Sequence, residues 1–86
     1  MSILYIVPQA KESEWVVRIL NEAGVRFRIF EACSPQMKKA LHDLLGVNIF
    51  PTLDVGINRM FEGIEGIREF INGLEKKTEH FWLPMQ

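Results

Sequence analysis

The stretch GVNIFPTLDVG, from Gly46 to Gly56, decides how this chain is read. Gly46 stops a helix whose apolar positions, Met37, Ala40, Leu41, Leu44 and Leu45, recur at helical spacing. Ile49, Phe50 and Pro51 then carry the chain directly into a short strand, Thr52 to Val55. Upstream, Ser34 and Pro35 start the helix, one supplying a capping hydroxyl and the other a ring already set to helical φ. Downstream, Arg59 to Glu62 reads as a second short strand, and the Gly-Ile-Asn link before it suits a hairpin. A last helix, from about Ile64 to Lys76, buries Ile64, Ile67, Phe70, Ile71 and Leu74.

The N-terminal half adds a parallel unit. Ile3 to Val7 is a continuous apolar run closed by Pro8, the pattern of a strand covered on both faces and central in its sheet. Trp15, Val16, Ile19, Leu20 and Ala23 paint one stripe of a helix over Lys11 to Ala23, and Gly24 ends it. Val25, Phe27 and Ile29 alternate with Arg26 and Arg28, which predicts a strand with one solvated face near a sheet edge. The order is β-α-β-α-β-β-α. A helix between the first two strands makes them parallel with a right-handed crossover, and the hairpin completes a four-stranded mixed sheet flanked by helices.

Bulk properties bound the function. The 86 residues have room for one domain, and 48% hydrophobic with 24% charged residues is a folding composition rather than a disordered one. A net charge of −1 with dispersed Lys and Arg argues against nucleic acid as a partner. No run reaches the roughly 18–20 apolar residues of a membrane span, and the opening MSILYIVP is too short for a signal-peptide core. The single cysteine, Cys33, has no internal disulfide partner, and neither His42 nor His80 has a companion at metal-ligand spacing. The expected setting is a reducing cytoplasm.

The order of elements, with a proline immediately before the third strand, resembles the thioredoxin fold and, in size, its glutaredoxin branch. The resemblance covers Ile3 to Glu75; EAGVRFRIF, FPTLDVG and FEGIEGIREFI are its most specific pieces. It implies a cis peptide bond at Pro51, with the neighbouring backbone at Phe50 and Thr52 pairing with an extended substrate such as glutathione or a peptide. It also places the family's Cys-x-x-Cys on AKES, so Ala10 stands at the nucleophile position and Ser13 at the resolving one. A thiolate at a helix N-terminus is what makes that chemistry work, and an alanine methyl has no nucleophilic atom. Ser13 is read as capping or decorating the first helical turn. Glu65, at the start of the last helix, stands where glutaredoxins hold the γ-glutamyl end of glutathione with an acidic residue. Lys11 follows the nucleophile position, whereas the family's useful lysine precedes it.

Two readings of function follow. In the first, the chain has lost dithiol chemistry and binds a peptide or protein through Gln9, Ala10, Lys11, Phe50, Pro51, Thr52 and Glu65, with no cofactor. In the second, Cys33 at a helix N-terminus serves a one-cysteine redox protein or sensor, with glutathione as its co-reactant; a small buried core cysteine is the bland alternative. Glutathione transferases begin with a similar domain, but the chain lacks an acidic-Ser pair after the fourth strand. Residues 1–77 form the thioredoxin-like domain. Residues 78–86 form an aromatic tail, in which Phe81, Trp82 and Leu83 either fold back or dock on a partner, a second copy included.

Overall fold

The computed structural model describes residues 2–57 and 59–82, with side chains as far as Leu74. The elements are β1 (Ser2–Ile6), α1 (Lys11–Glu22), β2 (Phe27–Glu31), α2 (Pro35–Leu45), β3 (Thr52–Gly56), β4 (Arg59–Glu62) and α3 (Gly63–Trp82). They form one sheet in the order β2-β1-β3-β4, with β1 parallel to β2 and antiparallel to β3, and β3 antiparallel to β4. The apolar run at the N-terminus is therefore central, as its composition demands, and the Arg-bearing strand is an edge.

The sheet has a different cover on each face. Leu4, Ile6 and Leu53 meet Val16 and Leu20 of α1 and Ile67 and Ile71 of α3 in the larger core cluster. Tyr5, Ala32, Leu41 and Val47 form a smaller one on the other face, with Ile3, Phe50 and Met60 packed against it. Alternation along the strands divides the residues this way, since cross-strand partners such as Leu4 and Leu53 share a face. Tyr5 is 4% exposed, and burial, with the nearby Asp54 carboxylate adding to it, pushes its hydroxyl above the ordinary tyrosine value. A raised folded-state value means the unfolded chain loses this proton first. Stability is therefore constant below about pH 10 and falls as pH rises beyond it. Tyr5→Phe is expected to flatten that alkaline decline in urea midpoints measured from pH 8 to 11.

The second helix departs from its sequence pattern. Ala40, Leu44 and Leu45, expected in the core, are exposed, Leu44 by 81%, and only Leu41 of the expected set is buried. The cap explains the change. Gly46 takes φ 74°, its amide donates to the His42 carbonyl at 2.9 Å, and the Val47 amide donates to Leu41 at 3.3 Å. This Schellman-type turn folds Val47 back beside Leu41, and the two are buried in one cluster while Leu44 and Leu45 stay outside it. Two smaller differences belong to α1. Trp15 is 38% exposed, with the Arg68 guanidinium 5.9 Å from its ring centroid, and Ala23 is exposed; Ser13 is buried in their stead.

The last helix is longer than its apolar stripe. It runs on to Trp82, past the expected end at Lys76 and across the expected boundary between domain and tail. Phe81 and Trp82 are thus part of α3 rather than of a separate segment, while their side chains, those of Glu75 to His80, and Leu83 lie outside the described residues. Gly66 sets how closely this helix approaches β4. A Cβ there would meet the Phe61 backbone carbonyl carbon at 3.2 Å, and backbone has little room to give. Gly66→Ala is expected to cost about 1–3 kcal/mol by prying α3 from the sheet, measured as a lower urea midpoint.

Candidate functional site

Right-handed winding brings the C-terminal ends of β1 and β2, the start of α1 and the start of β3 to one end of the sheet. There Pro8, Gln9 and Ala10 turn the chain from β1 into α1. Gln9 adopts φ 62°, a left-handed value uncommon outside glycine, and Ala10 occupies the N-cap in an extended conformation. The Ala10 carbonyl accepts from the amides of Ser13 and Glu14 at 3.1 and 3.3 Å. The Ala10 methyl offers no cap, and the acidic side chains of the first turn are Glu12 and Glu14.

Ser13 is not a surface residue of that turn. It is 3% exposed and its hydroxyl donates to the Val7 carbonyl at 3.3 Å, stitching the end of β1 to α1. The buried position follows from the helical phase, since Ser13 lies three residues before Val16 on the face that packs on the sheet. Its hydroxyl is thus committed to the fold.

A groove of about 540 Å³ opens beside Ala10, lined by Ile6, Val7, Pro8, Gln9, Ala10, Ser13, Glu14, Val17 and Glu31. Two of the expected binding residues, Gln9 and Ala10, belong to it. Lys11, Phe50, Pro51, Thr52 and Glu65 do not. Its charged residues are the carboxylates of Glu14 and Glu31, with no Lys or Arg in the lining, so the groove has an acidic wall. Sequence reasoning missed both carboxylates. The signal was available for Glu31, because a parallel β1–β2 pair sets the end of β2 beside Ile6, the end of β1.

The Phe50–Pro51 bond lies at the same end but across β1, on the β3 side. It is cis. The Pro51 carbonyl accepts from the Gly63 amide at 2.7 Å, tying this loop to the start of α3, while Phe50 is half-buried. The Thr52 side chain is not free to recognise a ligand. It is fully buried, its hydroxyl donates to the Ile49 carbonyl, and its backbone lies between Tyr5 and Glu62 in the sheet. Glu65 and Lys11 are exposed, each in the first turn of its helix.

Cys33 corrects the reading of a buried structural cysteine. It is exposed, two residues beyond the end of β2, with its sulfur 3.6 Å from the Glu31 carbonyl. The core position went to its neighbour Ala32, whose amide donates to the Ile6 carbonyl at 2.8 Å and which is 1% exposed. Cys33, beyond the strand, stays outside that core, and it does not line the groove. Ser34 caps α2 as expected, accepting from the Met37 amide at 3.2 Å. His42 is exposed and pairs with Asp43 at 3.1 Å, and the described residues hold no cluster that suits a metal ion. No helix among them is long and apolar enough to cross a membrane.

Comparison with solved structures gives this arrangement a counterpart. The chain is similar to the glutaredoxin of Brucella melitensis, seen in a solution structure, with a TM-score of 0.67 and 18% identity over 90% of this chain and 84% of that one. It is also similar to the holo form of glutaredoxin C1 from Populus tremula x tremuloides, with a TM-score of 0.62 and 18% identity over 96% of this chain and 79% of that one. No protein-family model matches the chain, and no curated protein matches it. Its fold is a glutaredoxin-like thioredoxin fold.

Proposed function

We propose that this chain uses the glutaredoxin fold as a binding module, holding an extended segment of a peptide or protein without exchanging disulfides with it. The observation that carries the reading is the groove at the start of α1, which Ala10 lines with a methyl group, at the place the family resemblance gives to the nucleophile, and whose charged walls are Glu14 and Glu31. A methyl has no electron pair to attack a disulfide. The two carboxylates repel an anion such as glutathione and attract a basic side chain, while Ile6, Val7 and Val17 offer apolar contact. Main-chain pairing at Phe50, just before Pro51, supplies affinity, and the groove supplies side-chain selection. Gln9, Lys11 and Glu65 border the path. A reducing cytoplasm, in which Cys33 persists as a thiol, is the proposed setting.

The test is a titration followed by amide resonances. The probes are a six-residue peptide alternating valine and lysine, its counterpart with glutamate for lysine, and glutathione. The lysine peptide is expected to shift the amides of Gln9, Ala10, Lys11 and Phe50 and to bind about tenfold more tightly than the glutamate peptide, a difference of about 1.4 kcal/mol. Glu31→Gln should narrow that gap. Glutathione shifting the same amides at lower concentration than either peptide would overturn the reading.

The exposure of Cys33 supports a second reading, a one-cysteine redox protein or sensor linked to glutathione. Cys33→Ser separates the two, since peptide binding is expected to survive it and a thiol function is not.

A further inference from the structure

We infer that the outer edge of β2 is a self-association surface, on which a second copy of this chain pairs antiparallel about a two-fold axis through Ile29. The two edges of the sheet are treated differently. β4, at one end, is four residues long and follows a register shift in its pairing with β3, and both features discourage strand addition. β2, at the other end, runs for five residues in unbroken register with β1 and contains neither proline nor lysine. Its Ile29 and Phe30 are 49% and 40% exposed. Among the described residues no other element pairs with it.

Backbone geometry fixes which groups are on offer. The Ala32 amide donates to Ile6 across the β1–β2 ladder, so by alternation Phe30 and Arg28 also turn their amides toward β1. Phe27, Ile29 and Glu31 consequently point their amides and carbonyls outward. With Ile29 on the two-fold axis all of these residues pair, Phe27 of one copy against Glu31 of the other. Moving the axis to Arg28 or Phe30 leaves part of that set without partners.

The side chains select the same register. With Ile29 on the axis, Ile29 faces its own copy on the α1 and α3 side of the sheet. On the α2 side Arg28 faces Phe30 of the partner, twice by symmetry, an Arg–aromatic pairing. Phe30 already meets Tyr5 in a tilted pair, ring centroids 5.8 Å apart, which holds its ring on that face of the edge. An axis at Arg28 would oppose two guanidinium groups, and one at Glu31 two carboxylates. In this register no like charges meet, Arg28 has an aromatic partner and Glu31 lies opposite Phe27, the isologous contact of a two-fold dimer. The proposal does not rest on the peptide-binding reading, although the two surfaces meet at Glu31, which ends β2 and lines the groove, while Pro51 lies across β1 from this edge.

A single strand pair is a small interface, so the dimer should be concentration-dependent. Sedimentation equilibrium of the natural chain up to about 1 mM should show a rise toward twice the 10.0 kDa monomer mass. Ile29→Lys should hold the chain monomeric over that range, because two ammonium groups would meet on the axis, with its circular dichroism unchanged. Ile57→Lys, at a 93% exposed position off this edge, should leave the dimer intact. In the natural chain, hydrogen exchange at the amides of Phe27, Ile29 and Glu31 should slow as concentration rises, a readout that needs no variant. A chain that stays monomeric throughout, a dimer that survives Ile29→Lys or is lost in Ile57→Lys, or exchange at these amides indifferent to concentration would overturn the proposal.

Discussion

Leu53→Ala is expected to remove about 3 kcal/mol of stability and to lower the melting temperature by on the order of 15 °C. Leu53 is wholly buried on β3 between β1 and β4, on the face where α1 and α3 meet the sheet. Its loss combines forgone transfer energy with a cavity that four elements cannot close. For a domain whose total stability is on the order of 5–15 kcal/mol, that is a large part of the whole. Leu44→Ala supplies the contrast. With Leu44 81% exposed, its truncation should change stability by no more than about 0.5 kcal/mol. Urea denaturation of the two variants measures both. Equal costs would mean that α2 packs through Leu44 after all, as its apolar spacing alone suggests.

The second large effect is a gain. Ala10→Cys together with Ser13→Cys should give the chain thiol–disulfide exchange at this site, because the start of α1 offers its free amides to a thiolate there. Two cysteines in one turn would also close a disulfide on oxidation, read as a mass loss of two hydrogens. The acidic surroundings set a second expectation. Glu14 and Glu31 line the same groove and oppose thiolate formation. Removing both charges with Glu14→Gln and Glu31→Gln should raise the exchange rate of the double-cysteine chain roughly threefold, since about 0.7 kcal/mol per charge gives about ten times more thiolate, each about a third as nucleophilic. Failure to close the disulfide would mean that Ala10 and Ser13 are not placed as a dithiol motif would be. Indifference to the carboxylates would remove the electrostatic basis for preferring basic ligands.

The elements were legible because local signals agreed with one another. Ser34-Pro35 and Gly46 bracket α2 by capping chemistry, the apolar run from Ile3 to Val7 requires cover on both faces of β1, and period-two charges mark β2 as exposed. Burial on α2 was not legible, because a helical stripe shows which face is apolar and not how far the helix stands from the sheet. The turn at Gly46, which returns Val47 to the core, decides that distance. Nor does a stripe show where α3 stops, since the charged run after Leu74 continues in helical conformation without an apolar face to announce it.

The candidate site was legible at its centre and not at its walls. Ala10 and Gln9, both named from the sequence, lie together in the groove. The acidic lining comes from two elements distant in sequence and needs the parallel register of Ile6 with Glu31. Cys33 illustrates the limit of residue averages. Cysteine is commonly buried, yet here Ala32 takes the core position just past β2 and the thiol stays outside.

The central claim is that this fold recognises a segment of chain and does not exchange electrons with it. The most direct measurement is glutathione-coupled reduction of a small mixed disulfide by the natural chain and by Cys33→Ser, over a hundredfold range of protein concentration. Both proteins are expected to leave the rate at that of glutathione alone. A rate that rises in proportion to the natural chain and vanishes in Cys33→Ser would contradict the claim and make this a one-cysteine redox protein.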